Sequence, residues 1–150
     1  MKEQDKLVVF SLDRKRFGIA LSAVERIVHA VEITPLSGSQ DRTLGVIDMQ
    51  GHAVPVVNTR ARLGLPLRAI GRSDRFIIAE TSGKKVSLVV DEVIGLVETE
   101  AIDSAHRAAP IAERGCIEGV TRGDEGMILV CDLDRLIGGH EVEALDSARP

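Results

Sequence analysis

The sequence predicts a mainly β protein, built from two similar β modules packed into one body. Three observations predict it. The chain repeats itself: residues 7–24 lie on residues 76–93 without a gap, with Val8 on Ile77, Val9 on Ile78, Phe17 on Val86, Ile19 on Leu88 and Val24 on Val93. A second pair of segments follows each first one, with Gly45-Val46 on Gly119-Val120, Val56 on Val130, Asn58 on Asp132 and Gly64 on Gly138. A period of about 70 residues is too long for a solenoid unit. Finally, short β-forming runs separated by turn residues recur about ten times, with only short helical stretches between them, which favours barrels or a sandwich over an α/β fold.

Taken in order, residues 7–12 are apolar and β-forming, Asp13-Arg14-Lys15 turns the chain, and residues 16–20 return. Ser22 and Glu25 have capping-box spacing, which predicts a short helical turn opening into an extended stretch over 27–33. On that turn Val24 and Ile27 share a helical face and compete as core residues. Residues 35–42 read as a loop. Residues 44–49 form a strand, Gln50-Gly51-His52 a tight turn in which Gly51 takes positive φ, and residues 53–57 the return. Pro55 places that return at an edge or a bulge. Asn58 caps a short helix over 59–63 that Gly64 closes. A second loop covers 66–74. A hairpin about Ser82-Gly83-Lys84 joins residues 75–80 to 86–90, and 92–98 is a further strand. Residues 101–112 are irregular. The last hairpin joins 116–120 to 127–131 about Gly123-Asp124. Asp132 starts a helix over 133–136 that Gly138-Gly139 ends, and residues 140–148 form one or two amphipathic turns. Residues 1–6 and 139–150 are peripheral to a single domain spanning 1–150.

The chain has 150 residues, of which 44% are hydrophobic and 28% charged. A chain this long buries roughly 70% of its unfolded surface. No apolar run approaches the ~20 residues of a membrane span, and the first residues lack a signal-peptide pattern, so a cytoplasmic protein without membrane insertion is expected. A net charge of −4, with three Phe, no Tyr and no Trp, argues against nucleic acid. Such a partner needs a basic face and stacking platforms. His29, His52, His106 and His140 are scattered without zinc spacing, so no metal is expected. Cys116 and Cys131 are equidistant from the Gly123-Asp124 turn. A two-residue loop would set them directly across the hairpin, where a disulfide is conceivable. A cytosolic compartment keeps thiols reduced, which favours two small buried side chains. No nucleophile elbow, P-loop or dinucleotide fingerprint is present. Asp91-Glu92 and Glu98/Glu100 read as solvated or capping charges. Nothing in the residues argues for an enzyme or a cofactor.

The succession FGIALSAVERI (17–27), LGVIDMQGHAVPVVNTRARLGL (44–65), VSLVVDEV (86–93) and IEGVTRGDEGMILVCDLDRLI (117–137) resembles the CheW-like domain over roughly residues 7–137. The Gly-Val strand with its Val-Pro-Val-Val return and the Leu-Val-Val-Asp-Glu-Val block carry the resemblance together. It implies two packed five-stranded β-barrels and a non-catalytic coupling protein, probed by two kinds of partner. One is the cytoplasmic hairpin tip of a chemoreceptor. The other is a CheA-type histidine kinase, whose own CheW-like domain makes pseudo-symmetric contacts in arrays. Recruitment to membrane-associated receptor arrays and a monomer in isolation follow. Related chemosensory systems that control type IV pili or surface sensing are an alternative setting, and a small-ligand binder using the groove between the barrels is a second class of reading.

By position against the family motif, Val24, Arg26, Ile27, Gly45, Asp48, Gln50 and Arg60 are the receptor-side candidates. Leu36, Leu63, Leu65 and Leu67 are the kinase-side candidates. Gly45 reads either as a close-approach glycine or as a strand bend. The chain departs from the family twice. Arg26 stands where an acid is usual, and Gln50 where an arginine is usual. Losing that arginine removes a bidentate partner for a carboxylate, and like-charge mismatch at an interface costs several kcal/mol. The two departures read either as fit to a non-standard receptor or array or as neutral drift in a divergent homologue.

Overall fold

The computed structural model describes residues 6–35, 43–98, 115–124 and 126–137. Ten strands and two short helices follow in the order β1 (Lys6–Leu12), β2 (Lys15–Ala20), β3 (Val24–His29), β4 (Thr43–Met49), β5 (His52–Val57), α1 (Thr59–Arg62), β6 (Arg75–Thr81), β7 (Lys84–Val90), β8 (Glu92–Glu98), β9 (Ile117–Gly123), β10 (Gly126–Cys131) and α2 (Leu133–Ile137). They form two five-stranded sheets, ordered β8-β1-β2-β10-β9 and β3-β6-β7-β5-β4.

The repeat is real, and its halves exchange strands. Each sheet takes one half's leading hairpin and the other half's remaining strands. Hairpin β1-β2 receives β8, β9 and β10, and hairpin β6-β7 receives β3, β4 and β5. The equivalence extends to register. Val56 opposite Ser87 in the parallel β5-β7 pair matches Val130 opposite Gly18 in β10-β2. The bulge between Val24 and Arg26 on β3 recurs between Val93 and Gly95 on β8. The bulge between Thr43 and Gly45 recurs between Ile117 and Gly119. Bulges are built features that re-aim side chains, so sharing two of them marks duplication of one plan.

Strands β1, β2, β6 and β7 are buried on both faces. Alternate residues therefore serve different cores. Val8, Phe10 and Leu12 enter the large core between the sheets, with Ile77, Ala79, Val86, Leu88, Leu63 and Leu136. Phe10 and Phe17 stack there at 5.8 Å. Leu7 and Val9 face the small core of the first sheet with Ile128 and Val130. Phe76 and Ile78 face that of the second with Ile47, Val54 and Val56. Residues of β3 and β4, at opposite ends of the second sheet, both pack on this last cluster. The sheet therefore curls on itself. A bridge between Thr34 and Val46 joins the chain beyond β3 to β4, at 2.8 and 3.0 Å. The expected five-stranded lobes are thus present as curled, packed sheets and not as fully closed barrels.

Three hairpin turns carry positive φ at both central residues: Asp13-Arg14, Gln50-Gly51 and Ser82-Gly83. This matches the twist of the flanking strands. Asn58 caps α1, accepting from the Ala61 amide at 3.2 Å, and Gly64 follows at φ +72°.

Four expectations need correction. Ser22 does not cap a helix; it lies inside a 3-10 turn, Leu21–Ala23, whose N-cap is Ala20 with no side-chain cap. The chain then enters β3 at once, so Val24 and Ile27 lie on a strand and share no helical face. Pro55 is not on an edge, because β5 lies between β7 and β4. Its missing N–H costs nothing toward β4, since Val46 opposite it turns its own N–H and C=O to Thr34. The last turn falls one residue later than expected, with Gly123 paired to Gly126, and a bulge sets Cys131 opposite Ile117. The cysteines are therefore not directly across from each other. Both are buried thiols, as favoured. Leu36, His106, His140, residues 1–5, the 101–112 stretch and the segment beyond 137 lie outside the described residues.

Candidate functional site

Arg26 and Ile27 stand on β3, an edge strand of the second sheet. The Glu25 bulge sets Arg26 opposite Ile78 and Ile27 opposite Ile77. Arg26 is exposed, and its guanidinium meets no carboxylate among the described residues. Ile27 is 41% exposed. Val24 is half-buried and packs on the central core. Asp48 and Gln50 are exposed at the β4-β5 turn, where the Asp48 carboxylate accepts from the Gly51 amide at 2.8 Å. The Thr34–Val46 bridge is antiparallel. The Asp48-Gln50 end of β4 therefore points back along the course of β3. Arg26, Ile27, Asp48 and Gln50 thus all belong to the second sheet and its β4-β5 turn.

Gly45 and Arg60 do not join them as contact residues. Gly45 is buried at φ +142°, and a Cβ there would stand 2.3 Å from the Thr34 carbonyl oxygen. The close approach is made by its own chain, at the bridge that closes the seam. The Arg60 side chain is 9% exposed and its Nη2 lies 2.8 Å from both Asp13 and Asp91. Its Nη1 donates to the Pro66 carbonyl at 2.9 Å. Asp91 also accepts from the Asp13 amide at 2.9 Å and from Arg68 at 2.7 Å. Arg68 forks onto Asp74 at 2.8 and 3.1 Å. Burial lowers the Arg60 pKa, but its hydrogen bonds to the Asp13 and Asp91 carboxylates outweigh it and leave the group above its usual value. Burial likewise raises Asp91, and the Asp13 amide with the Arg60 guanidinium brings it net below the usual carboxylate range. Asp13 lies in the β1-β2 turn of the first sheet, Arg60 on α1 after β5 of the second, and Asp91 where the chain crosses between the sheets. The network clamps sheet to sheet.

Among the kinase-side candidates, Leu63 and Leu65 are buried at 0% and 8% exposure, while Leu67 is 56% exposed. Leu63 and Leu65 fill the central core and present no surface, which corrects their reading as contact residues. The structure adds two apolar residues that sequence reasoning missed. Ile94 and Leu96, 43% and 64% exposed, stand on β8, an edge of the first sheet. Leu96 is the duplicate of Ile27, opposite Val8 as Ile27 is opposite Ile77. The alternation across Glu92–Glu98 could have found them.

A cleft of about 260 Å³ lies beside the network, walled by Ile33, Leu44, Ile70 and Val89 with Arg60, Arg68 and Asp91 at one side. Its ionic groups are engaged with one another, so it offers a small charged ligand little. His29 and His52 are exposed. Among the described residues no cluster of three or more His, Cys, Asp or Glu could hold a metal ion, and no helix is long and apolar enough to cross a membrane.

Comparison with known proteins accords with this geometry. The CheW-like domain family matches residues 6–141. The chain belongs to that family. It is 28% identical to the chemotaxis protein CheW of Bacillus subtilis, covering 100% of this chain and 96% of the relative. The corresponding protein of Rhizobium meliloti is 28% identical over 93% of this chain and 91% of its own. Among solved structures, the scaffolding protein TtCheW from Thermoanaerobacter tengcongensis superposes with a TM-score of 0.81 at 28% identity, covering 90% of this chain and 93% of that one. The chain is a member of a chemotaxis scaffold family with a mainly β fold.

Proposed function

We propose that this protein is a non-enzymatic adaptor that couples chemoreceptor hairpin tips to a CheA-type histidine kinase within membrane-associated arrays in the cytoplasm. The observation that carries the reading is the pair of duplicated edge strands. β3 and β8 each expose an apolar residue at the same repeat position, Ile27 and Leu96. An adaptor needs two separate faces of this kind, each apolar with a polar rim. Ile27, Arg26 and the Asp48-Gln50 turn we assign to the receptor. Ile94 and Leu96 on β8, together with Leu67, are assigned to the kinase.

Arg26 and Gln50 tune the receptor side. A cation at the β3 edge selects a tip that offers an acid there, a difference that affects specificity and association more than raw affinity. The test is capture of the purified chain by an immobilised receptor tip and, separately, by the kinase regulatory domain. Binding to both supports the adaptor; binding to neither ends it. Arg26→Glu combined with Gln50→Arg is expected to tighten binding to a standard receptor tip about tenfold, and an unchanged affinity removes these two residues from the site.

A further inference from the structure

We propose that Arg68 is the latch of a strap, residues 66–73, that forms one wall of the 260 Å³ cleft and opens it when the latch is released. The strap's ends are tied. Arg60 donates to the Pro66 carbonyl at 2.9 Å, and Arg75 to the Ser73 carbonyl at 2.7 Å. A tight turn joins Gly71 to Asp74 at 3.1 Å between backbones, with the Asp74 carboxylate accepting from the Gly71 amide at 2.8 Å. Between these ends, residues 67–70 make no backbone-to-backbone hydrogen bond with a described residue. Ile70 packs partly on the second sheet's small core. The polar tie is Arg68, whose guanidinium spans from Asp74, at the strap's own end, to Asp91, at the crossover between the sheets.

The two halves of that tie differ in strength. Asp74 is 2% exposed, whereas the Arg68 and Asp91 side chains are 41% and 25% exposed. An ion pair this open to solvent is weak and salt-sensitive. Few buried contacts and an exposed tie are the conditions for low-cost local opening. Release lets the strap swing on its ends, uncovers Ile33, Leu44 and Val89, and frees exposed Leu67 from its fixed place.

The experiment is backbone ¹⁵N relaxation on the full chain. In the wild type at low salt, residues 67–70 are expected to be as ordered as the flanking strands, with order parameters near about 0.8. Arg68→Met is expected to drop them below about 0.6. Arg68→Lys keeps a charge beside buried Asp74 but cannot fork to both carboxylates, so it is expected to fall between and also guards against a misfolded Met variant. Arg72→Met, in the same strap, is expected to change nothing, and about 1 M salt is expected to loosen the wild type toward Arg68→Met. A strap that stays ordered in both Arg68 variants, that is already mobile in the wild type, or that loosens equally in Arg72→Met overturns the proposal.

Discussion

Gly45 shows what one atom decides. The sequence left two readings, a partner pressing on the strand or a bend in it. The structure supplies a third occupant: Thr34 of the same chain, whose carbonyl would lie 2.3 Å from an added Cβ. Backbone at φ +142° is also closed to side chains. Gly45→Ala therefore combines strain with a clash against main chain, which has no rotamer through which to retreat. A loss of about 3 kcal/mol is expected, seen as a fall of about 10 °C in thermal midpoint for a chain of this size. If the substitution is silent, the seam is not held by this bridge. Arg60 teaches the same lesson from the opposite side. A surface-looking arginine in a short polar helix is an attractive binding residue in sequence. No local pattern reports that Asp13, at the β1-β2 turn of the other sheet, and Asp91 will meet its guanidinium.

At the level of elements, nearly every strand and both helix caps were legible, because each is written locally. Alternating apolar runs, two-residue turns and the Asn58 cap need only neighbours in sequence. The exchange between halves was not legible. A repeat says that two segments are alike and says nothing of which segment pairs with which. The crossovers that perform the exchange, Leu21–Ala23 and Asp91, are too short to carry a signal of their own. The duplication does place a second helix-to-hairpin tie. Asp134 on α2, the repeat equivalent of Arg60, accepts from Thr81 and Ser82 at the β6-β7 turn at 2.8 and 3.3 Å. The same helix-to-hairpin tie is a salt bridge in one half and a hydroxyl-to-carboxylate hydrogen bond in the other. Asp91 is held net below its usual pKa in the folded chain. Its contribution is complete above the unfolded value of about 4 and fades as pH falls through the folded value. Asp91→Asn should thus lower the urea midpoint at pH 7, with the gap from wild type closing as pH falls from the unfolded value through the lower folded one. A gap that is constant with pH would show that the carboxylate's charge is not what clamps the sheets.

For the molecule as a whole, the duplication explains how a small domain comes to expose two equivalent apolar edge positions, Ile27 and Leu96. A pseudo-twofold plan turns one edge strand into two, and the chain has diversified them. β3 keeps Glu25, Arg26 and His29 around Ile27, while β8 keeps Glu92, Ile94 and Glu98 around Leu96. Exposed apolar edges are a hazard of unwanted pairing, so their persistence at equivalent positions points to use. The charge differences keep the faces from being interchangeable. Separate substitution tests this directly. Ile27→Asp and Leu96→Asp both alter exposed side chains, so each variant should unfold within a degree or two of the wild type, as surface changes of under about 0.5 kcal/mol do. Ile27→Asp is expected to weaken receptor-tip binding at least about tenfold while sparing the kinase regulatory domain. Leu96→Asp is expected to do the reverse. Mixing the two variants should not restore coupling, because the proposed coupling requires both faces on one chain. If either substitution weakens both partners equally, the edges form one continuous site, and the division of labour between the duplicated halves is wrong.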